Sequence, residues 1–290
     1  MWFLFAISSA LLSATAAIFE KKALFKLSAL HFSFFLALVN AVLSIPFLFL
    51  NSFSFPNLTG FYVVGFKALM GSISFLLVMS GIKRLELSSA LPLLVITPGL
   101  VALFAWILLD DYLSYLDVAG MILLLAGTYF LQVGKIQNTL KPFQILNQSK
   151  AYLYIVGAVL IFTTTSLIDK WLLSDYKMQP SVLLPLQHFF MAVFFSLLVL
   201  LTNNQRKNLY IAWKNGWILI VIVAVLTIFY RFGHILAVKE GSVALALSVK
   251  RTSVFFAALI GGYLFKEKNV LYKVIATSIM IAGAILIIAG

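Results

Sequence analysis

Four cationic side chains and two histidines interrupt long apolar runs of the sequence: Lys67, Arg231, Lys250, Arg251, His188 and His234. If such runs cross a bilayer, each central charge costs about 2.5–3.5 kcal/mol, so these side chains should face a protein interior or a wet cavity. Grouped ammonium and guanidinium groups bind carboxylate or phosphate strongly where the dielectric constant is low. With Tyr230 added, we predict that these residues bind an anionic or zwitterionic substrate.

The depths of four of these residues agree. Counted from the nearer ends of their apolar runs, Lys67, His188, Arg231 and Lys250 lie seven to nine residues deep. At about 1.5 Å per helical residue, they share a layer roughly 10–13 Å below one membrane face. The alternative is that they pair with Asp169, Glu240 or backbone carbonyls, or extend to the membrane surface.

The composition supports a membrane protein. Of 290 residues, 63% are hydrophobic and 10% are charged, whereas a soluble domain has roughly 25% charged residues. The net charge of +12 does not indicate nucleic-acid binding, because the basic residues stand singly or in pairs between apolar runs. With no cysteine, three scattered histidines and no nucleotide-binding motif, we expect neither a metal nor a cofactor.

Ten apolar runs are long enough for transmembrane helices, which need about 20 residues each. An all-α integral membrane fold with ten helices is therefore predicted. The runs are Trp2–Phe19, His31–Leu50, Phe61–Ile82, Ser88–Leu109, Leu116–Val133, Ala151–Leu173, Ser181–Leu201, Trp213–Val238, Ser242–Phe265 and Val270–Ala289.

The sequence repeats itself. A shift of 156 positions lays Ile82–Gly127 on Val238–Gly283, and a shift of 149 lays Glu20-Lys21 on Asp169-Lys170. We predict two five-helix repeats, residues 1–134 and 151–290, joined by a loop of residues 135–150. Because five is odd, the halves enter the membrane in opposite orientations, an arrangement typical of secondary transporters.

The charges of the loops differ between the two membrane sides. Side A is defined by the loops after helices one, three, five, seven and nine, and side B by the other loops. Side A carries most of the lysines and arginines, so the positive-inside rule predicts that side A is cytoplasmic. Both termini would then lie outside, in what we predict to be a bacterial inner (plasma) membrane.

Proline, glycine and hydroxyl residues suggest where helices bend or pack. Pro98 and Gly99 interrupt helix four and are predicted to form a cavity wall or hinge, and Thr164 is assigned to the same wall. Gly120 and Gly127 on helix five, and Ala276 and Gly283 on helix ten, are predicted to lie in a close-packing seam.

Asp169-Lys170, and Glu20-Lys21 at the matching position, are interpreted as pairs that mark the membrane boundary. Alternatively, the acidic residue could carry a proton, which requires that burial raise its pKa.

The sequence resembles the drug/metabolite transporter superfamily in its EamA-like ten-helix branch. The resemblance rests on the duplicated half, on Glu267 in Leu264-Phe265-Lys266-Glu267, and on Ala282-Gly283. It implies a transporter without enzymatic activity. Ser248-Val249-Lys250-Arg251 is similar to the Lys-Arg pair of the triose-phosphate translocator branch, and this similarity implies an anion-binding role for Lys250 and Arg251.

The leading hypothesis is a secondary transporter, an exporter or exchanger, that moves a small metabolite with a negative group by alternating access. A homodimer is possible. One alternative is an exporter of cationic or hydrophobic drugs, which normally needs a buried acid at mid-membrane, whereas the acids here lie near the ends of the runs. Another alternative is a non-transporting scaffold or lipid-flippase subunit. An enzyme is disfavoured because no paired-carboxylate or Ser–His constellation is visible.

Overall fold

The computed structural model describes residues 1–50, 56–84, 97–110, 112–133, 150–202, 206, 208–253 and 270–289. These ranges are helical and contain no strand, which agrees with the predicted all-α fold. The α-helices are α1 (Trp2–Lys26), α2 (Ala29–Ser44), α3 (Leu58–Arg84), α4 (Thr97–Leu109), α5 (Tyr115–Val133), α6 (Lys150–Ser174), α7 (Pro180–Leu201), α8 (Leu209–Glu240), α9 (Val243–Arg251) and α10 (Val270–Ala289), with a 3-10 helix at Ile45–Phe49.

Six of the described helical segments are long and apolar enough to cross a membrane. They lie in α1, α2 with its 3-10 extension, α3, α6, α7 and α8. The described parts of α4, α5 and α10 supply shorter apolar segments, and α9 is described over nine residues. The chain is therefore an integral membrane protein, and ten crossings remain a prediction. Asp111, residues 135–149 and the predicted Leu264–Glu267 motif lie outside the described residues.

Side-chain caps fix where several helices begin. Ser28 Oγ accepts a hydrogen bond from the backbone N–H of His31 at 3.1 Å, and Asn57 Oδ1 accepts one from Gly60 N–H at 2.8 Å. Each cap satisfies a backbone donor that has no partner within its helix. Because these caps set the starts of α2 and α3, they also set the depth of the polar side chains that follow.

The packing of the helices repeats after five helices. α1 packs against α8 and α6 against α3, while α2 contacts α8 and α7 contacts α3. Replacing each helix by its equivalent in the other half also converts the α4–α6 contact into the α9–α1 contact. The α2–α7 and α5–α10 contacts each join a helix to its own equivalent. The sequence repeat therefore has a counterpart in the tertiary contacts.

Two matched lysines make matched contacts. Lys21 Nζ donates to the carbonyl oxygen of Ile82 at 2.5 Å, and Lys170 Nζ donates to that of Val238 at 3.5 Å and of Gly241 at 2.7 Å. Ile82 and Val238 are equivalent in the 156-residue shift. Each lysine thus binds carbonyls near the C-terminal end of the equivalent helix, where a cation complements the helix dipole.

Close packing is confirmed for two of the four predicted seam residues, Gly120 of α5 and Gly283 of α10. A Cβ atom added at Gly120 would lie 2.6 Å from the carbonyl oxygen of Gly283, and one added at Gly283 would lie 2.7 Å from that of Gly120. These distances are too short for any side chain, so the two backbones can approach this closely only at glycine.

Candidate functional site

A cavity of about 230 Å³ lies among the helices and receives lining residues from α1–α4 and α6–α9. The four cations that sequence analysis selected all contribute to its lining, together with the two histidines and Tyr230. These seven residues are Lys67 on α3, His188 on α7, Tyr230, Arg231 and His234 on α8, and Lys250 and Arg251 on α9. Residues far apart in the sequence therefore meet in one cavity.

Lys67 is already neutralised by the protein. Its ammonium group forms an ion pair with Asp169 of α6 and donates a hydrogen bond to Gln187 Oε1 at 2.6 Å. The interpretation of Asp169-Lys170 as a boundary pair is therefore wrong. The two neighbours diverge because adjacent residues point in different directions around a helix, so Asp169 reaches the cavity while Lys170 reaches the α8–α9 turn.

Three other cations lack such a partner. Within the described ranges, no carboxylate lies within ion-pair distance of Arg231, Lys250 or Arg251. Lys250 Nζ lies 5.1 Å from the ring centroid of Tyr230, a distance suited to a cation–π contact. Arg251 Nη2 donates to Thr97 Oγ1 at 3.2 Å. These contacts orient the cationic groups without cancelling their charge.

Several buried polar atoms of the cavity lining have no hydrogen-bond partner among the described residues. They are Ser33 Oγ, Asn40 Oδ1, both ring nitrogens of His188, His234 Nδ1 and Arg251 Nε. Buried polar groups in proteins are almost always paired with protein or water. These atoms therefore provide hydrogen-bonding capacity for a ligand or for water within the cavity.

Two carboxylates, Glu20 and Asp169, also line the cavity. The sequence placed both near the ends of their apolar runs, but Glu20 lies six residues and Asp169 five residues before the C-terminal ends of their helices, and both side chains line the cavity. With the histidines neutral, four cations and two carboxylates leave the described lining with a formal excess of two positive charges.

Sequence analysis also missed Ser33, Asn40 and Gln187. Ser33 and Asn40 are seven residues apart in the otherwise apolar α2, so they share one face of that helix, and both line the cavity. That spacing was the available signal. Gln187 directly precedes His188 and gave no signal of its own beyond its polarity within an apolar run.

The three predicted wall or hinge residues are placed differently. Thr164 is exposed on α6 and its hydroxyl donates to the carbonyl oxygen of Leu160 at 3.2 Å, whereas the neighbouring Thr165 and Ser166 line the cavity. Pro98 is buried next to the lining residue Thr97, and Gly99 is half-buried facing Leu125 of α5. None of the three belongs to the described lining.

Comparisons with known proteins agree with the fold. A solved structure described only as "Crystal structure of protein" matches 98% of this chain and 95% of its own, with a TM-score of 0.71 and 17% sequence identity. At that identity the likeness concerns the fold alone. No curated protein matched the sequence significantly.

The profile of the EamA-like transporter family matches the sequence twice, over residues 1–133 and 149–289. The two matches cover nearly the whole chain and fall on its two similar halves. Members of this family are membrane transporters and not enzymes, and the polar cavity enclosed by apolar helices is consistent with that role. The chain belongs to the EamA-like transporter family.

Proposed function

We propose that this secondary transporter moves a small metabolite carrying a negative group, and that Arg231, Lys250 and Arg251 bind that group. The observation that carries the proposal is the presence of three cationic side chains in one cavity without a carboxylate partner among the described residues. A buried, uncompensated charge is costly, and a bound anion would compensate it.

The three cations have distinct roles in this proposal. The planar guanidinium of Arg251 matches the geometry of a carboxylate or phosphate and can bind it with two hydrogen bonds, while Thr97 holds its orientation. Lys250 supplies a point charge beside the Tyr230 ring. His188 and His234 offer further hydrogen bonds, and Lys67 contributes less because Asp169 neutralises it.

The cavity size favours a small substrate. Its volume of about 230 Å³ lies below the range of roughly 300–1,000 Å³ that is typical of drug-sized ligand sites. A compact organic acid, amino acid or phosphorylated metabolite suits this volume. The similarity of Lys250-Arg251 to the triose-phosphate translocator pair supports an anion-binding role and does not identify the substrate.

We also propose ten membrane-spanning helices in two inverted repeats that alternate access to the cavity. The two family matches and the exchange of helix contacts after five helices support this arrangement. Export or exchange, a bacterial inner membrane and a cytoplasmic side A are parts of the same proposal. Assembly as a homodimer is a further possibility that the binding site does not require.

Export of cationic drugs is the second candidate, and the carboxylate of Glu20 in the cavity favours it. A cationic ligand needs a negative site, and Glu20 has no cationic partner among the described residues. The excess of positive charge and the small volume count against this candidate. The binding experiment therefore includes cationic compounds.

The test is a thermal-stabilisation screen of purified protein in detergent with anionic, zwitterionic and cationic metabolites. We expect anions to raise the melting temperature, and Arg251→Ala to weaken the best anion by roughly 10- to 100-fold, the effect of losing a charged hydrogen-bond donor. Arg206→Ala is the matched control, because Arg206 is exposed and outside the described cavity lining.

Two outcomes would overturn the proposal. Stabilisation by cations but not by anions would favour drug export. Equal anion affinity of wild type and Arg251→Ala would mean that the cationic cavity is not the binding site.

A further inference from the structure

We propose that Glu20 is a proton-binding site coupled to the substrate site, so that an anion entering the cavity is accompanied by a proton taken up on the Glu20 carboxylate. This inference rests on the proposed function, because it assumes an anion bound by Arg231, Lys250 and Arg251. It adds a coupling ion, which neither the family match nor the shape of the cavity supplies.

The argument begins with two equivalent acidic residues. Glu20 and Asp169 occupy the same position in the two repeats, each directly before a lysine. Those lysines make equivalent contacts: Lys21 donates a hydrogen bond to the carbonyl oxygen of Ile82, and Lys170 donates one to the carbonyl oxygen of Val238. Both acids line the cavity and are largely buried, with 7% of each residue exposed.

The equivalent acids differ in their partners. Asp169 is neutralised by Lys67 of α3, but the residue that matches Lys67 in the second repeat is Val223 of α8, which is apolar and fully buried. Within the described residues, no cation lies within ion-pair distance of the Glu20 carboxylate. Asp169 is therefore held in an ion pair that joins the two repeats, whereas its equivalent Glu20 is a carboxylate open to the cavity.

The surroundings of Glu20 make its charge depend on the cavity contents. Helix α1 packs against α2, α3, α8 and α9. The charged or titratable residues that these helices bring to the described cavity lining are Lys67 of α3, Tyr230, Arg231 and His234 of α8, and Lys250 and Arg251 of α9, while α2 brings none. This set is mainly positive, and it includes Tyr230, which lies close enough to Glu20 to interact with its charge.

Anion binding changes that balance. A negative group bound beside Arg231, Lys250 and Arg251 would repel an ionised Glu20 carboxylate across the same low-dielectric cavity. A proton from water then adds to a carboxylate oxygen of Glu20 and forms an O–H bond, and no other bond changes. Because coupling between two binding sites is reciprocal, a lower pH must also strengthen anion binding.

Proton uptake can be measured directly on the purified protein. Sulfate and lactate serve as probes, because their charges stay constant between about pH 6 and pH 8, well above the ionisation of ordinary carboxyl groups. In weakly buffered detergent solution with a pH indicator, wild type should take up as much as one proton for each anion bound. Its anion affinity should rise as the pH falls, by at most about tenfold per pH unit for one linked proton.

Glu20→Gln should still bind the probes but lose the proton uptake, and its affinity should become independent of pH. Glu240→Gln is the matched control, because Glu240 is exposed and outside the described lining. If Glu20→Gln does not fold, infrared difference spectra of the wild-type protein with and without anion test the same inference. Anion binding should produce the C=O stretch of a protonated carboxyl group, and its absence would overturn the inference.

The remaining outcomes separate the two proposals. Anion binding without proton uptake by wild type overturns the coupling and leaves the anion site intact. Unchanged proton uptake by Glu20→Gln assigns the proton to another group, such as His188 or His234, and also overturns it. A wild type that binds neither sulfate nor lactate, nor any anion of the metabolite screen, contradicts the proposed function itself.

Discussion

At the scale of single residues, the cost of placing charge in lipid was the most informative signal. It selected Lys67, Arg231, Lys250 and Arg251, and the structure brings all four to one cavity. The alternative in which such a cation pairs with Asp169 is correct for Lys67, but Gln187 was not predicted, because it meets Lys67 only through the packing of α3 and α7. The depth of a side chain in the membrane can be estimated by counting residues along the sequence, but contacts between helices that are distant in the sequence cannot be read in this way.

The misplacement of Thr164 shows the limit of sequence reasoning about helix faces. Each residue turns the helix by about 100°, so an error of one position moves a side chain from the cavity to the outer surface. The hydroxyl run of α6 was recognised, and its cavity face belongs to Thr165 and Ser166. Nothing in an apolar helix of this composition fixes that rotation before its neighbours are known.

The buried ion pair gives the first prediction at this scale. Asp169→Asn should leave the Lys67 charge uncompensated and destabilise the protein by about 3–5 kcal/mol. Adding Lys67→Met should recover part of this loss, because the unpaired charge is then removed. Thermal unfolding of the single and double variants in detergent measures the coupling. Asp175→Asn, at an exposed residue, is the control, and additive effects of the two substitutions would contradict the pairing.

At the scale of helices, the sequence predicted which segments form helices and in what order, but not the residues at which the helices begin and end. The first apolar run was predicted to end at Phe19, but α1 continues to Lys26, and α8 extends beyond its predicted run at both ends. Hydropathy follows the hydrocarbon layer, whereas a helix continues into the interface as long as its backbone hydrogen bonds are satisfied. The repeat found in the sequence, in contrast, is consistent with the equivalent helix contacts of the two halves.

The glycine seam gives the prediction at this scale. Gly120→Val should force α5 and α10 apart, because the added Cβ atom alone would lie 2.6 Å from the Gly283 carbonyl oxygen. We expect a loss of stability of about 1–3 kcal/mol, as for other overpacked sites. Thermal unfolding in detergent is the measurement.

Gly99→Ala is the control for this seam, because a Cβ atom there meets Leu125 Cδ1 at an ordinary contact distance of 3.9 Å. It should be neutral or slightly stabilising, since alanine is the better helix former. Equal stability of Gly120→Val and wild type would show that the two helices do not approach each other as the structure describes.

At the scale of the whole molecule, the distribution of loop charges predicts the orientation in the membrane. Side A is rich in lysine and arginine, so we expect it to face the cytoplasm. In the proposed inverted-repeat arrangement, the fold is compatible with either orientation, because exchange of the two repeats turns the molecule over. Orientation therefore depends on loop charges and not on the packed core.

The absence of cysteine from the sequence allows a clean test of this orientation. Asp175→Cys on side B should react with a membrane-impermeant maleimide in intact cells. Arg206→Cys on side A should react only after the membrane is permeabilised. Both residues are exposed, so reactivity reports which side they face. The reverse labelling pattern would place both termini in the cytoplasm.

The proposed function depends most on whether an anion occupies the cavity beside Arg231, Lys250 and Arg251. Anomalous diffraction from crystals soaked in selenate, a heavier analogue of sulfate, locates bound anions directly. We predict a peak within hydrogen-bond distance of Arg251 and close to Arg231 and Lys250. Peaks only on the protein surface, or these three side chains bonded to carboxylates of the protein, would contradict the account.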